Sequence, residues 1–294
     1  MDEKRFDRSI RFFGSEGQKA IEETTVLFAG VGGLGSAAVQ QGALMRIGRM
    51  FIADPGVFKA SGRNRYVTAE HGDAQSGKRK VDIASRMVNR IDPTIEITSI
   101  SDSVISETGL AAIKEADVVV GSLDNEGGRL LLLQACASLA TPYFDFATEI
   151  LPGERLRYGG RVCCSFVGGG CLSCLDILDR EEANMDLASD RELANRTSVY
   201  GVEPELLGDS GPSVGPLNGV IANAGMFELM AYLSGLRAPI IHQNFNGATG
   251  KLTVRQHKPK PDCYFCDGLF TRSQGFDCGK LLSCERNRAT AVKN

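Results

Sequence analysis

The stretch Val26-Leu27-Phe28-Ala29-Gly30-Val31-Gly32-Gly33-Leu34-Gly35-Ser36 decides how this chain is read. Val26 to Ala29 are apolar and partly β-branched, the pattern of a buried strand. Gly30, Gly32, Gly33 and Gly35 follow, and the small residues Ser36, Ala37 and Ala38 open a helix-forming run. A strand-to-helix turn this rich in glycine lets backbone approach a phosphate, whose charge the helix N–H groups and dipole would hold. Nineteen residues beyond Gly35, Asp54 ends a second apolar run, Met50 to Ala53. That is the spacing at which a carboxylate at a strand end can accept hydrogen bonds from a ribose hydroxyl. The unit predicts a Rossmann-type nucleotide site, and on these residues alone it fits NAD as well as ATP.

Length and charge narrow the rest. The 294 residues can bury the core of one large domain or one and a half. With 33 basic and 36 acidic residues, net −3, there is no electrostatic reason to expect nucleic acid or an anionic membrane surface. No apolar run approaches the ~20 residues of a bilayer span. The opening Met1-Asp2-Glu3-Lys4-Arg5 lacks the apolar core of a signal peptide. A cytoplasmic setting is expected, so the nine cysteines read as thiols or metal ligands before disulfides.

Along the chain, Phe6, Ile10 and Phe13 at helical spacing predict a helical arm over 1–25. Arg5, Arg8 and Arg11 share one of its faces, which spacing alone reads as a solvated basic face. Strands at 26–29, 50–53, 94–100, 118–120 and 142–147 alternate with helices at 37–47, 78–91, 106–115 and 129–139. That alternation predicts an α/β fold with a doubly wound, mainly parallel sheet, the nucleotide-binding half spanning 26–150. From 151 to 268 the pattern changes. Residues 155–167 and 243–256 look like antiparallel hairpin material, and 216–233 patterns as a helix packed on the sheet. The polar stretch 179–209 predicts a long functional or disordered loop with helical patches. Residues 25–268 are expected to form one continuous domain, followed by a polar tail, 269–294.

Two cysteine pairs are the second strong signal, Cys171-Leu-Ser-Cys174 and Cys263-Tyr-Phe-Cys266. Each turn presents two thiolates to one point, and two turns complete a tetrahedron around zinc. Four thiolates leave no open position, so such a metal would be structural and would clip the C-terminal strap to the domain. The competing readings are a redox pair or unrelated free thiols. Cys136, Cys163 and Cys164 sit in apolar runs and read as core, whereas Cys278 and Cys284 lie in the polar tail.

These motifs, in this order, resemble the MoeB/ThiF superfamily, the adenylyltransferases similar to ubiquitin-activating enzymes, over residues 4–267. The resemblance implies an ATP site. Arg5-Phe6-Asp7-Arg8 matches the family's N-terminal motif, and Arg8 would reach the ATP phosphates of a partner subunit. Asp54 matches the ribose aspartate and Arg65 the phosphate arginine, with Asn64 beside it also at the nucleotide. Gly77-Lys78-Arg79-Lys80-Val81 matches Gly-x-x-Lys-Val, making Lys80 the phosphate lysine. Asp124-Asn125 matches the pair whose aspartate coordinates magnesium. Gly215-Pro216-Leu217-Asn218-Gly219 matches the helix after the crossover loop.

The residue types suit the chemistry independently. Attack of a carboxylate on the α-phosphate builds charge on the phosphates. Arginines, a lysine, magnesium and a helix N-terminus would stabilise it. Two departures stand out: no cysteine occurs in 179–213, where thioester-forming members carry one, and Ser61-Gly62-Arg63-Asn64-Arg65 replaces the usual Asn-Leu-x-Arg. The first excludes a thioester at that position.

The expected function is activation of a C-terminal carboxylate as an acyl-adenylate, on a homodimer. The partner would be a ubiquitin-like β-grasp sulfur carrier or a ribosomal peptide. The alternatives are an NAD-dependent oxidoreductase, which leaves Arg65, Lys80 and Asp124 unexplained, and a non-catalytic interaction subunit.

Overall fold

The computed structural model describes residues 3–151, 153, 155–167, 169–187, 211–255 and 259–269. Strand β1 (Thr25–Ala29) lies between β2 (Arg49–Ala53) and β4 (Val118–Gly121). β3 (Glu96–Ile100) pairs beyond β2, and β5 (Tyr143–Leu151) beyond β4, all parallel. β5 then runs on past the end of β4 and pairs antiparallel with β6 (Arg157–Ser165). β7 (His242–Asn246) and β8 (Lys251–Val254) follow. The sheet order is β3-β2-β1-β4-β5-β6-β7-β8. The expected α/β class is therefore found, with a parallel half and an antiparallel extension.

The helices are α1 (Glu3–Glu23), α2 (Gly33–Leu44), α3 (Lys80–Ile91), α4 (Glu107–Glu115), α5 (Glu126–Leu139), α6 (Arg180–Asp186) and α7 (Gly215–Leu233). Because side chains alternate across a strand, each parallel strand feeds two cores. Leu27, Phe51 and Val119 point to the side packed by Ile113 of α4 and Leu132 of α5. Val26, Phe28, Met50 and Val120 point to the side packed by Val39 of α2, Val88 of α3 and Leu229 of α7. A continuous apolar run such as Val26 to Ala29 is what a strand buried on both faces requires.

Three differences from the sequence expectation have local causes. α2 begins at Gly33, inside the glycine cluster, because the loop is itself the first helical turn. α5 begins at Glu126 because the Asn125 side chain caps it, accepting the Gly128 N–H at 2.6 Å. α1 is kinked where Gly14 adopts φ 77°. In the expected 179–209 loop, α6 is the described helical patch. Residues 188–210 and the tail with Cys278 and Cys284 lie outside the described residues.

The connection from β2 to α3 carries Arg63, Asn64 and Arg65 and is fixed by one buried acid. Asp73 takes both Arg86 terminal nitrogens at 2.9 and 2.6 Å, the Glu70 N–H at 2.7 Å and Lys78 Nζ at 3.0 Å. The Arg86 hydrogen bonds, above all, hold its carboxyl well below the usual range. A carboxyl depressed by folding contributes stability that is complete above its unfolded pKa, about 4, and is lost as pH falls towards its folded value. Asp73→Asn should lower stability by about 3 kcal/mol at pH 7, since it leaves Arg86 half-paired. It should also flatten the acid limb of the melting-temperature profile. A profile parallel to wild type below about pH 5 would contradict the assignment.

Candidate functional site

The carboxyl ends of β1, β2 and β4 converge on the glycine loop, and each glycine has a separate physical reason. Gly30 turns the chain at φ 82°, and a methyl there would meet the Ser122 carbonyl at 2.9 Å. A methyl on Gly35 would stand 2.0 Å from the Gly30 carbonyl, so this glycine lets α2 lie against its own strand. A methyl on Gly33 would strike Asn218 Nδ2 at 2.5 Å and Arg65 Cγ at 2.9 Å. Gly32 differs: a methyl there would meet nothing within 4 Å. It is the N-cap of α2 and, having no side chain, leaves the first N–H groups of that helix without a side-chain cap. Uncapped helix N–H groups above an open glycine are an anion cradle, and they fit a nucleotide phosphate.

Around this cradle the structure assembles most of the expected set. Asp54 is buried. Its Oδ2 accepts the Val31 N–H at 2.9 Å and its Oδ1 the Gly56 N–H at 2.7 Å. Lys80, the first residue of α3, brings Nζ to 3.2 Å from Asp54 Oδ1. The Arg65 stem packs against Gly33, while Arg65 Nη1 donates to Ser61 O at 2.7 Å and to Asn64 Oδ1 at 3.1 Å. Asn64 in turn donates to Ser213 O at 3.2 Å, ahead of α7. The loop after β4 is tied in through Ser122 Oγ, which donates to Gly30 O at 2.6 Å. It carries Asp124, which is exposed and, among the described residues, accepts only a 3.4 Å contact from Asn125 Nδ2. The helix cap at this junction falls on Asn125, not Asp124, and leaves the Asp124 carboxylate available.

Arg8 is not brought to this site. Its neighbour Arg5 is bound to Asp92 at 2.6 Å, at the end of α3 where the strands begin, opposite the glycine loop. Sequence reasoning quoted Asn218 without giving it a role. It is buried, donates to Ser213 Oγ at 3.2 Å and accepts from Thr148 Oγ1 at 2.9 Å, so it supports the Gly33 side of the cradle. An amide in a largely apolar helix was the available signal, one it shares with Asn223 and Glu228.

The four paired cysteines meet on the far side of α5. Cys171 Sγ lies 3.7 Å from Cys263 Sγ, and Cys174 Sγ 3.7 Å from Cys266 Sγ. All four sulfurs lie within 4.8 Å of one another. A disulfide needs sulfurs about 2 Å apart, whereas ~2.3 Å metal–sulfur bonds in a tetrahedron put them about 3.8 Å apart. The donor set therefore fits a closed tetrahedral metal site such as zinc. Cys136, Cys163 and Cys164 are buried thiols, and burial pushes the latter two well up, away from reactivity.

The open space at Gly32 generates a clean test. Gly32 has φ −68°, which alanine adopts without strain. Gly32→Ala should keep the melting temperature within about 2 °C of wild type yet weaken ATP binding more than about tenfold, because the methyl occupies the phosphate position. Unchanged ATP affinity would remove the cradle from the binding site.

Comparison with known proteins agrees with this geometry. The model of the ThiF family matches residues 6–266. The chain is 32% identical over 282 residues to the Escherichia coli K12 molybdopterin-synthase adenylyltransferase, covering 94% of this chain and 96% of that protein. It is also 32% identical over 284 residues to the vegetative HesA protein of Trichormus variabilis, covering 95% and 94%. Among solved structures, E. coli MccB with AMPCPP and MccA shares the fold at TM-score 0.66 and 18% identity, over 90% of this chain and 75% of that one. On the family match and these identities, the chain belongs to the ThiF family, the adenylyltransferases similar to ubiquitin-activating enzymes.

Proposed function

We propose that this protein uses Mg-ATP to adenylate the C-terminal carboxylate of a small ubiquitin-like carrier or a ribosomal peptide. The observation that carries the reading is the uncapped helix N-terminus at Gly32, with Lys80, Arg65 and the Asp124 loop brought around it. The carboxylate oxygen would attack the α-phosphorus, the bond to the bridging oxygen would break, and pyrophosphate would leave with that oxygen. Arg65 would grip phosphate oxygens as a fork, Lys80 as a point charge, and the Gly32 amides as fixed dipoles. Asp54 would keep lone pairs for a ribose hydroxyl. Asp124 would hold magnesium, which when bound supplies charge neutralisation between the phosphates. Zinc on the four cysteines would serve the fold. A metal site built from four thiols suits a cytoplasmic setting. The relatives' printed activities support the same class, since one is a molybdopterin-synthase adenylyltransferase.

We further propose a homodimer. α7 is apolar on nearly every side, yet its Val220 and Phe227 are exposed, with Phe12 of α1 against Phe227 at 6.3 Å between ring centres. A helix of that composition belongs in an interior, and a second copy across a two-fold axis would provide one. A cleft of about 270 Å³, lined by Gly33, Arg63, Asn64, Arg65, Gly215 and Asn223, leads from α7 to the nucleotide cradle. A second copy's Arg8 could enter it, which the position of Arg5 denies to the same chain.

ATP with magnesium, and not NAD, should raise the melting temperature. Arg8→Ala and Lys80→Ala should each abolish the rise. Coexpressed, the two variants should recover about a quarter of the wild-type ATP sites, because half the dimers contain one intact site. Stabilisation by NAD would restore the oxidoreductase reading. Absence of recovery would place Arg8 outside the site.

A further inference from the structure

Four charged residues, three of them buried and Arg161 partly so, form a cluster that the adenylation set does not use. Glu126 and Arg129 lie in the first turns of α5, Asp145 in β5 and Arg161 in β6. Asp145 is fully buried, and Glu126 and Arg129 are nearly so. Arg129 Nη1 is paired with Glu126 Oε1, its Nε lies 3.5 Å from Asp145 Oδ1, and its Nη2 donates to Leu123 O at 2.7 Å. Asp145 Oδ1 also accepts the Tyr143 hydroxyl at 2.9 Å. Among the described residues Asp145 Oδ2 makes no hydrogen bond, and Arg161 Nη2 lies 3.7 Å from it. Arg161 Nη2 lies 3.8 Å from Glu126 Oε1 as well.

Such a cluster is a poor device for stability, because well-packed apolar residues usually serve as well or better in its place. Its geometry points elsewhere. Asp145 is in register with Gly121, the last residue of β4, so it sits where the Asp124 loop leaves the sheet. The rigid guanidinium of Arg129 hydrogen-bonds Glu126 and the Leu123 carbonyl through its terminal nitrogens, while its Nε makes no hydrogen bond among the described residues and faces Asp145 as a charge contact, an arrangement a lysine could not reproduce. The peptide it grips is the one that joins Leu123 to Asp124. The far side of the cluster reaches α6: Glu126 Oε2 accepts the Asp179 N–H at 3.1 Å, and Asp186 Oδ2 accepts the Gly127 N–H at 3.0 Å.

We propose that Asp145 is a positioning residue: with Arg161 and Glu126 it fixes Arg129, which holds the Leu123 carbonyl and so sets where Asp124 presents its carboxylate. Its functional consequence rests on the reading of Asp124 as the magnesium-holding residue. Asp145 touches neither nucleotide nor metal and acts only through Arg129. The same chain of contacts registers α6, the start of the crossover segment, against the Asp124 loop.

The test is Asp145→Asn, which keeps shape and removes charge, with Arg161→Gln as a milder second variant should the first fold poorly. Glu228→Gln is the control, since it breaks another ion pair of a buried acid, with half-buried Arg237, on the face of the sheet opposite α5. Two quantities are read on the full chain: amide hydrogen exchange over 122–128, and the Mg2+ concentration giving half of the ATP-induced rise in melting temperature. Asp145→Asn should speed exchange over 122–128 about tenfold and raise the Mg2+ requirement about fivefold, with Arg161→Gln smaller in both. Glu228→Gln should lower the melting temperature and move neither. Lowered stability in Asp145→Asn with both quantities unmoved would overturn the proposal. So would faster loop exchange with an unchanged Mg2+ requirement, which would leave the cluster structural. A wild-type chain that Mg-ATP fails to stabilise would overturn the adenylation reading instead, and loop exchange alone would then decide the role of Asp145.

Discussion

Asp54 is a carboxylate taken almost wholly out of water where β2 stops. Burying that charge is unfavourable unless donors replace its hydration, and here the replacements build the site. The Val31 N–H comes from the turn after β1, the Gly56 N–H from the turn after β2, and Lys80 from the first turn of α3. Three segments far apart in sequence are thereby tied to one anion at the carboxyl edge of the sheet. Each also carries something a phosphate would meet: the α2 amides, the Arg65 segment and the Lys80 ammonium. The parallel half of the fold can be viewed as the scaffold that makes this convergence possible. The antiparallel half carries the cysteine cluster on the segments that follow β6 and β8.

What the sequence disclosed was local in origin. The glycine loop, the Asp54 spacing and the Cys-x-x-Cys turns each read within a few residues, and the structure places each as expected. The alternation of strands and helices disclosed the sheet because buried parallel strands need continuous apolar runs, and Val118-Val119-Val120 is such a run. The basic face of α1 was only half legible. Spacing groups Arg5, Arg8 and Arg11, but partners divide them: Arg5 binds Asp92, Arg11 binds Asp7, and Arg8 is left exposed. The capping of α5 was also ambiguous, since Asp124 and Asn125 are both good caps, and only backbone geometry chose Asn125.

The cluster around Asp145 was invisible for a different reason. Its members come from α5, β5 and β6, and their relation exists only once β5 pairs with β6. A lone acid inside Tyr143-Phe144-Asp145-Phe146-Ala147 was the one trace it left. The same holds for α7, whose composition indicates a helix but not which side stays uncovered. Both features concern how the two halves of the sheet are used. The glycine-loop half follows rules common to such folds, whereas the antiparallel half depends on pairings between segments distant in sequence.

The central claim is that the glycine-loop site activates a carboxylate with ATP. It is tested most directly by exchange of labelled pyrophosphate into ATP, with the purified chain supplied with β-grasp carriers ending in Gly-Gly and with synthetic peptides. Each acceptor is compared with its C-terminally amidated form. The account predicts exchange that requires magnesium, occurs with a free carboxylate and is absent with the amide. Magnesium-dependent exchange that is indifferent to amidation, or hydrolysis of ATP to ADP in its place, would contradict it.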